Sequence, residues 1–188
     1  METRRLGNTD LDLTPIGFGT WAIGGGDWSM GWGPQEEKDS IGSILEGLEA
    51  GINWIDTAHA YGFGLSEEVV GKALREWGQP VIVATKCGVL SNADKSPRRF
   101  ASREIILEEV ESSLRRLQVE TIDLYQLHWP EPDENIEDAW QTLLDLQAQL
   151  LLVAYASYLA QADEVMIAST LVFWEAVREA VSVSGGRT

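Results

Sequence analysis

Four short apolar runs alternate along this chain with four stretches whose apolar residues recur at helical spacing, and that alternation leaves few folds open. The runs are Ile16 to Gly19, Ile52 to Ile55, Val81 to Thr85 and Ile122 to Leu127. Behind the first lies a helical face of Ile41, Ile44, Leu45 and Leu48, closed at Gly51, where a helix would end. The second face is Val70, Ala73, Leu74 and Trp77, with Ser66 predicted as N-cap and Glu67 and Glu68 read as charges at the helix start. The third, Ile106, Val110, Leu114 and Leu117, is predicted to be capped by Ser102. Asn135 to Asp138 resembles a capping box ahead of Ala139, Trp140, Leu143 and Leu144. Strands that are apolar throughout, each followed by an amphipathic helix, imply a parallel sheet covered by helices. The segment Leu6 to Leu13 places turn formers between extended halves, so a small hairpin is expected before the first run.

The alternation therefore predicts an α/β fold, a parallel sheet covered by helices and preceded by an N-terminal β-hairpin, and leaves open whether that sheet closes. A complete eight-unit barrel needs about 250 residues, and this chain has 188. At 44% hydrophobic content it can still bury a core. A sheet left open presents unpaired backbone at its edges, which must pair, be covered or aggregate. A homo-oligomer formed through those edges is one expectation.

Charge and cysteine usage remove several function classes. Thirty acidic side chains against fourteen basic ones leave a formal charge of −16, which disfavours nucleic acid and anionic membrane surfaces as partners. No stretch reads as a membrane span or a secretion signal. Cys87 is the single cysteine, so no intramolecular disulfide forms, in keeping with a cytoplasmic location, and its place in an apolar run marks it as a packed thiol. Two histidines and one cysteine, none at ligand spacing from another, give no metal site. A glycosidase-like pair of carboxylates has no motif to support it, although separations in space are not visible in a sequence. The glycine-rich run Gly24 to Gly33 fits neither of the phosphate-binding glycine spacings and is read as a mobile loop at the barrel mouth.

Asp56, Tyr61, Lys86 and His128 each stand at the C-terminal end of a predicted strand or just beyond it. Each alone has an ordinary structural reading as a turn cap, a surface aromatic, a snorkelling cation or a packed imidazole. Together, on three successive strand ends, they converge on one mouth, where parallel barrels place their chemistry. A phenol has a pKa of about 10 and needs its anion stabilised before it gives up a proton near neutrality. A Lys86 ammonium beside Tyr61 would supply that stabilisation, and Asp56 would keep the ammonium charged and aimed inward. His128 could donate to a carbonyl oxygen from the other side. These are the needs of carbonyl reduction by hydride.

The run Asp56-Thr57-Ala58-His59-Ala60-Tyr61-Gly62, followed by Ser66-Glu67 and Gly71, resembles the signature of the aldo-keto reductase superfamily. Gly17-Phe18-Gly19-Thr20-Trp21, Ala84-Thr85-Lys86 and Asp123 to Pro130 resemble that family's segments at its first, third and fourth strands. The likeness runs from about Arg5 to about Gln149, and Leu127 to Pro132 is most similar to the bacterial NADP-dependent branch. The resemblance implies a partial (β/α)8 TIM barrel of about four to five strand–helix units after the N-terminal β-hairpin, a small aldehyde or ketone as substrate, and NADP(H) as cofactor. It makes Tyr61 the proton donor, Lys86 and Asp56 its tuning pair, and His128 the group that orients the carbonyl. It places Gly19, Thr20, Trp21 and Asp56 beside the nicotinamide and its ribose, and Trp21 and Trp129 around the substrate.

Residues 1–149 are thus expected to form the front half of such a barrel. In place of the family's later strands, residues 150–188 are expected to form a divergent strand and helix, so that cofactor binding would be weakened or lost. A non-catalytic binding module and an inactive fragment are the alternatives to a working reductase.

Overall fold

The computed structural model describes residues 1–130 and 135–148. Strands β1 (Arg4–Arg5) and β2 (Asp12–Leu13) form an antiparallel hairpin, with Arg4 opposite Leu13. The hairpin strands are shorter than the sequence suggested, because Leu6, Thr9 and Leu11 satisfy one another through turn hydrogen bonds between them.

Strands β3 (Phe18–Gly19), β4 (Trp54–Asp56), β5 (Ile82–Cys87) and β8 (Leu124–Leu127) form one parallel sheet in sequence order. A second hairpin, β6 (Val89–Ser91) with β7 (Pro97–Arg99), follows β5. Four helices complete the described units: α1 (Glu37–Glu49), α2 (Leu65–Trp77), α3 (Arg103–Leu117) and α4 (Ile136–Ala148). This is a parallel β/α succession of the kind that a (β/α)8 barrel closes from, and among the described residues β3 and β8 have one strand neighbour each. A fifth strand–helix unit, expected within 150–188, lies outside the described residues. No helix among the described residues is long and apolar enough to cross a membrane.

Register and pleat sort the strand residues onto two faces. Ile55 pairs with Val83, Thr85 with Tyr125 and Cys87 with Leu127, and these side chains look outward into the core beneath the helices. There Ile44 and Leu48 of α1, Val70 and Ala73 of α2, Ile106, Val110 and Leu117 of α3, and Ala139 and Leu143 of α4 are all buried, as the helical spacing required. Removing each valine or leucine of this set from water stabilises the fold by roughly 1.5–3 kcal/mol. The alternate residues, Trp54, Asp56, Ile82, Ala84, Lys86 and Leu124, point to the other face. Leu11 and Leu13 of the first hairpin close the lower part of that face against Ala84 and Leu124. The upper part, at the strand ends, is left for Asp56 and Lys86.

Two local expectations change and a third holds. Ile16 is 63% exposed, so the first run enters the sheet only at Phe18. Ser66 is not the cap of α2, since the helix starts at Leu65, after Gly64, and takes Ser66 into its first turn. Its hydroxyl lies instead 2.8 Å from Thr20 Oγ1 and 3.1 Å from Thr57 Oγ1. Ser102 does cap α3, accepting from the Ile105 amide.

Candidate active site

The end of β4 delivers Asp56, the loop after it delivers Tyr61, and the end of β5 delivers Lys86. The loop continues the strand pairing for three residues, because the Thr57 amide donates to the Ala84 carbonyl and the His59 amide to the Lys86 carbonyl. Tyr61 is then turned back by Gly62, Phe63 and Gly64, all three with positive φ (65°, 52° and 106°). Phe63 is the costly member of that turn, since a side chain resists this conformation. It is held by packing edge-on against Trp28, 5.9 Å away.

Lys86 is buried, and its ammonium donates to Asp56 Oδ2 at 2.7 Å, to the Thr57 carbonyl at 2.9 Å and to Tyr61 Oη at 3.2 Å. Burial works against the charge, but Asp56 first and Tyr61 second outweigh it, so the Lys86 pKa lies above its ordinary value. The Thr57 carbonyl belongs to the loop backbone and carries no signal in sequence.

His128 lies just past β8, its amide donating to the Cys87 carbonyl. Its ring meets Tyr61 edge-on at 5.7 Å. Burial first, then the positive charges of Lys86 and Arg99, push its pKa down to about 3. The imidazole is therefore neutral in any physiological medium and can offer one N–H to an oxygen.

Trp21 stacks on Tyr61 with centroids 6.0 Å apart and planes 6° from parallel, its indole N–H donating to the Met30 carbonyl. Trp129 stacks on His128 at 6.3 Å. Both tryptophans thus border the phenol and the imidazole. The Arg99 guanidinium, from β7, lies over the Trp129 ring at 4.0 Å. Thr20 is fully buried, with its amide and its hydroxyl both on the Asp56 carbonyl at 3.0 Å, which fixes the backbone of residues 19–21 beside the site. Space above Gly19 is open, since a Cβ there would meet nothing within 4 Å.

The glycine-rich loop packs over this mouth. Trp28 is buried against Ala58, Ala60 and Tyr61, and Lys95 reaches Asp27 at 2.6 Å. Among the described residues no group of His, Cys, Asp and Glu could hold a metal ion.

Sequence reasoning misread one feature of the region. Glu67, taken as a charge at a helix start, is fully buried, accepting from Thr85 Oγ1 at 2.6 Å and from Arg116 Nε at 2.7 Å. It also missed Glu109, buried on α3 and accepting from the Gly88 amide at 2.7 Å. A signal for Glu109 was present, since position 109 shares the apolar face of Ile106, Val110 and Leu117.

The family model described as "Aldo/keto reductase family" matches residues 15–155. The chain belongs to the aldo/keto reductase family. It is 49% identical over 148 residues to aldo-keto reductase YhdN of Bacillus subtilis, a match covering 78% of this chain and 43% of that protein. It is 43% identical over 135 residues to the NADH-specific methylglyoxal reductase of Escherichia coli, covering 66% of this chain and 40% of that one. Among solved structures, the holo form of aldo-keto reductase AKR11C1 from Bacillus halodurans superposes with a TM-score of 0.73 at 35% identity, over 84% of this chain and 51% of that chain. The glycerol dehydrogenase AKR11B4 from Gluconobacter oxydans gives a TM-score of 0.75 at 34% identity, over 94% and 52%. The chain thus spans about half the length of the relatives it matches, and the partial barrel described above corresponds to that share.

Proposed function

We propose that this chain carries the proton-donating and carbonyl-orienting residues of a nicotinamide-dependent reductase that converts a small aldehyde or ketone to an alcohol. The observation that carries the reading is the contact of Tyr61 Oη with Lys86 Nζ at 3.2 Å, with Asp56 holding the ammonium from behind at 2.7 Å.

Tyr61 gives its phenol proton to the carbonyl oxygen as that oxygen gains negative charge, and the Lys86 ammonium stabilises the phenolate left behind. Neutral His128 donates its N–H to the same oxygen and sets its angle. Trp21 and Trp129 border the space the substrate occupies and limit water there. When bound, a nicotinamide cofactor would supply the hydride for the carbonyl carbon. Asp56, only partly covered, and the fixed backbone of Gly19, Thr20 and Trp21 with open space above it fit the ribose and nicotinamide end. NADP(H) is the coenzyme favoured by the likeness of Leu127 to Pro132 to one bacterial branch, while one relative carries NADH specificity in its name. The buried free thiol of Cys87 fits a reducing cytoplasm.

Titration of NADPH and of NADH into the purified protein, followed by tryptophan fluorescence, tests the reading because Trp21 stacks on Tyr61. Saturable quenching below millimolar coenzyme is expected, weakened as the divergence of residues 150–188 implies and preferential for NADPH, together with aldehyde-dependent oxidation that Tyr61→Phe abolishes. Quenching with no turnover would overturn the catalytic reading in favour of a binding module. No quenching at millimolar coenzyme would overturn both.

A further inference from the structure

Residue 85 and residue 86 point to opposite faces of β5. Lys86 faces the candidate site, whereas Thr85 faces the helices and meets a buried ionic network there that the proposed chemistry does not use. Thr85 Oγ1 donates to Glu67 at 2.6 Å, and Glu67 is salt-bridged to Arg116 at the end of α3 at 2.6 Å. The same guanidinium lies 2.8 Å from His59 Nδ1. Because a guanidinium can only donate, Nδ1 must accept, so the His59 proton resides on Nε2. That N–H faces the Glu109 carboxyl, 3.7 Å away, whose other oxygen holds the Gly88 amide at 2.7 Å.

The chain Glu67–Arg116–His59–Glu109 therefore grips both segments that carry the reacting pair. Tyr61 lies between His59, which is held by Arg116, and Gly64, against which the Arg116 side chain packs so closely that a Cβ there would meet its Cδ at 2.7 Å. Lys86 lies between Thr85, held by Glu67, and Gly88, held by Glu109. Tyr61 stands beyond His59, the last residue of its loop seen pairing with β5 among the described residues, so the backbone ladder of the sheet stops short of it.

We propose that Arg116 is a positioning residue for the candidate reaction, which sets the Tyr61–Lys86 separation from the helix side of the sheet by clamping His59 and, through Glu67, Thr85. The inference rests on the function proposed above, but its first test does not need turnover.

Simple removal of Arg116 would leave Glu67 buried and unpaired and could unfold the chain. The informative variant is therefore Glu67→Gln with Arg116→Met, which removes both charges together while the new amide oxygen still accepts from Thr85. Arg116→Lys is the companion, since one ammonium cannot reproduce the forked contact to Glu67 and His59. Tyr61 ionisation, read from ultraviolet difference spectra against Tyr61→Phe in each background, reports the distance to the ammonium. The expected result is an upward displacement of the Tyr61 titration by about one pH unit as the ammonium recedes, in variants that melt cooperatively. Alongside it, kcat falls by about 10²-fold with KM changed little. A cooperative fold with an unmoved Tyr61 titration in both variants would overturn the proposal. If the wild-type protein shows no turnover while the Tyr61 titration still moves, the catalytic reading has failed and the positioning has not.

Discussion

The ammonium of Lys86 lies 3.2 Å from the phenol oxygen of Tyr61, although the two residues come from different strand–helix units. Their meeting depends on the register of β4 against β5, in which Asp56 pairs with Ala84 and so stands beside the stem of Lys86.

Loss of either member of this pair should separate binding from chemistry. Tyr61→Phe removes the proton without changing the ring that stacks on Trp21, and Lys86→Met removes the charge that stabilises the phenolate. Each is expected to lower kcat by about 10²–10⁴-fold, with coenzyme quenching of fluorescence retained in Tyr61→Phe. Steady-state kinetics beside the fluorescence titration checks this; equal loss of both signals in Tyr61→Phe would show a binding role instead.

His128, with its pKa pushed down to about 3, should contribute no limb to the pH profile of kcat between pH 5 and 9. Its folded value lies below that of a free imidazole, so the unfolded chain binds more protons in the window between. Stability is then fully present above about pH 6.5 and is lost as pH falls towards 3, by an amount on the order of several kcal/mol at most. Urea melts from pH 7 to pH 4 should show that slope in the wild type and a shallower one in His128→Gln.

Much of this architecture was legible because periodicity reports burial. Ile44, Val70, Ile106 and Leu143 fall at zero exposure where helical spacing placed them, and Asp56, Lys86 and His128 come together because strand ends in a parallel sheet share one side. What could not be read was polar groups buried for polar reasons. Glu67 at a helix start has the same sequence appearance whether it faces solvent or Arg116, 49 residues away. The β6–β7 hairpin was also missed, since Ser91, Asn92 and Ser96 satisfy one another locally and give a loop-like composition.

Glu109 offers a second stability test with the opposite sign. Burial first, with the carboxylate of Glu67 adding to it, raises its pKa to about 8 against the Gly88 amide and Arg116, which favour the charge. The folded protein therefore holds a proton that the unfolded chain has released, and stability declines as pH rises from about 4.5 through 8. Chemical denaturation of Glu109→Gln should lack that decline, because the amide cannot ionise yet still accepts from Gly88. A wild-type curve that is flat from pH 5 to 8 after subtraction of the variant would contradict the assignment.

Gly24 and Gly62 touch backbone to backbone directly beside Tyr61, and this contact can be tested by steric means alone. A Cβ at Gly24 would meet the Gly62 nitrogen at 2.7 Å and the Tyr61 carbonyl carbon at 2.8 Å. Neither neighbour is the end of a flexible side chain, so the loop carrying Tyr61 must shift. Gly24→Ala should cost about 1–3 kcal/mol by overpacking, and a displacement approaching 1 Å at Tyr61 should lower kcat by about 10²-fold. Gly42→Ala is the control, for Gly42 lies inside α1 with nothing within 4 Å of its added Cβ. There alanine should stabilise by about 0.5–1 kcal/mol and leave kcat unchanged. Thermal melts and kinetics on the pair distinguish a position that shapes the site from one that only shapes a helix. Equal kcat in both variants would mean that the loop absorbs the methyl group without moving the phenol.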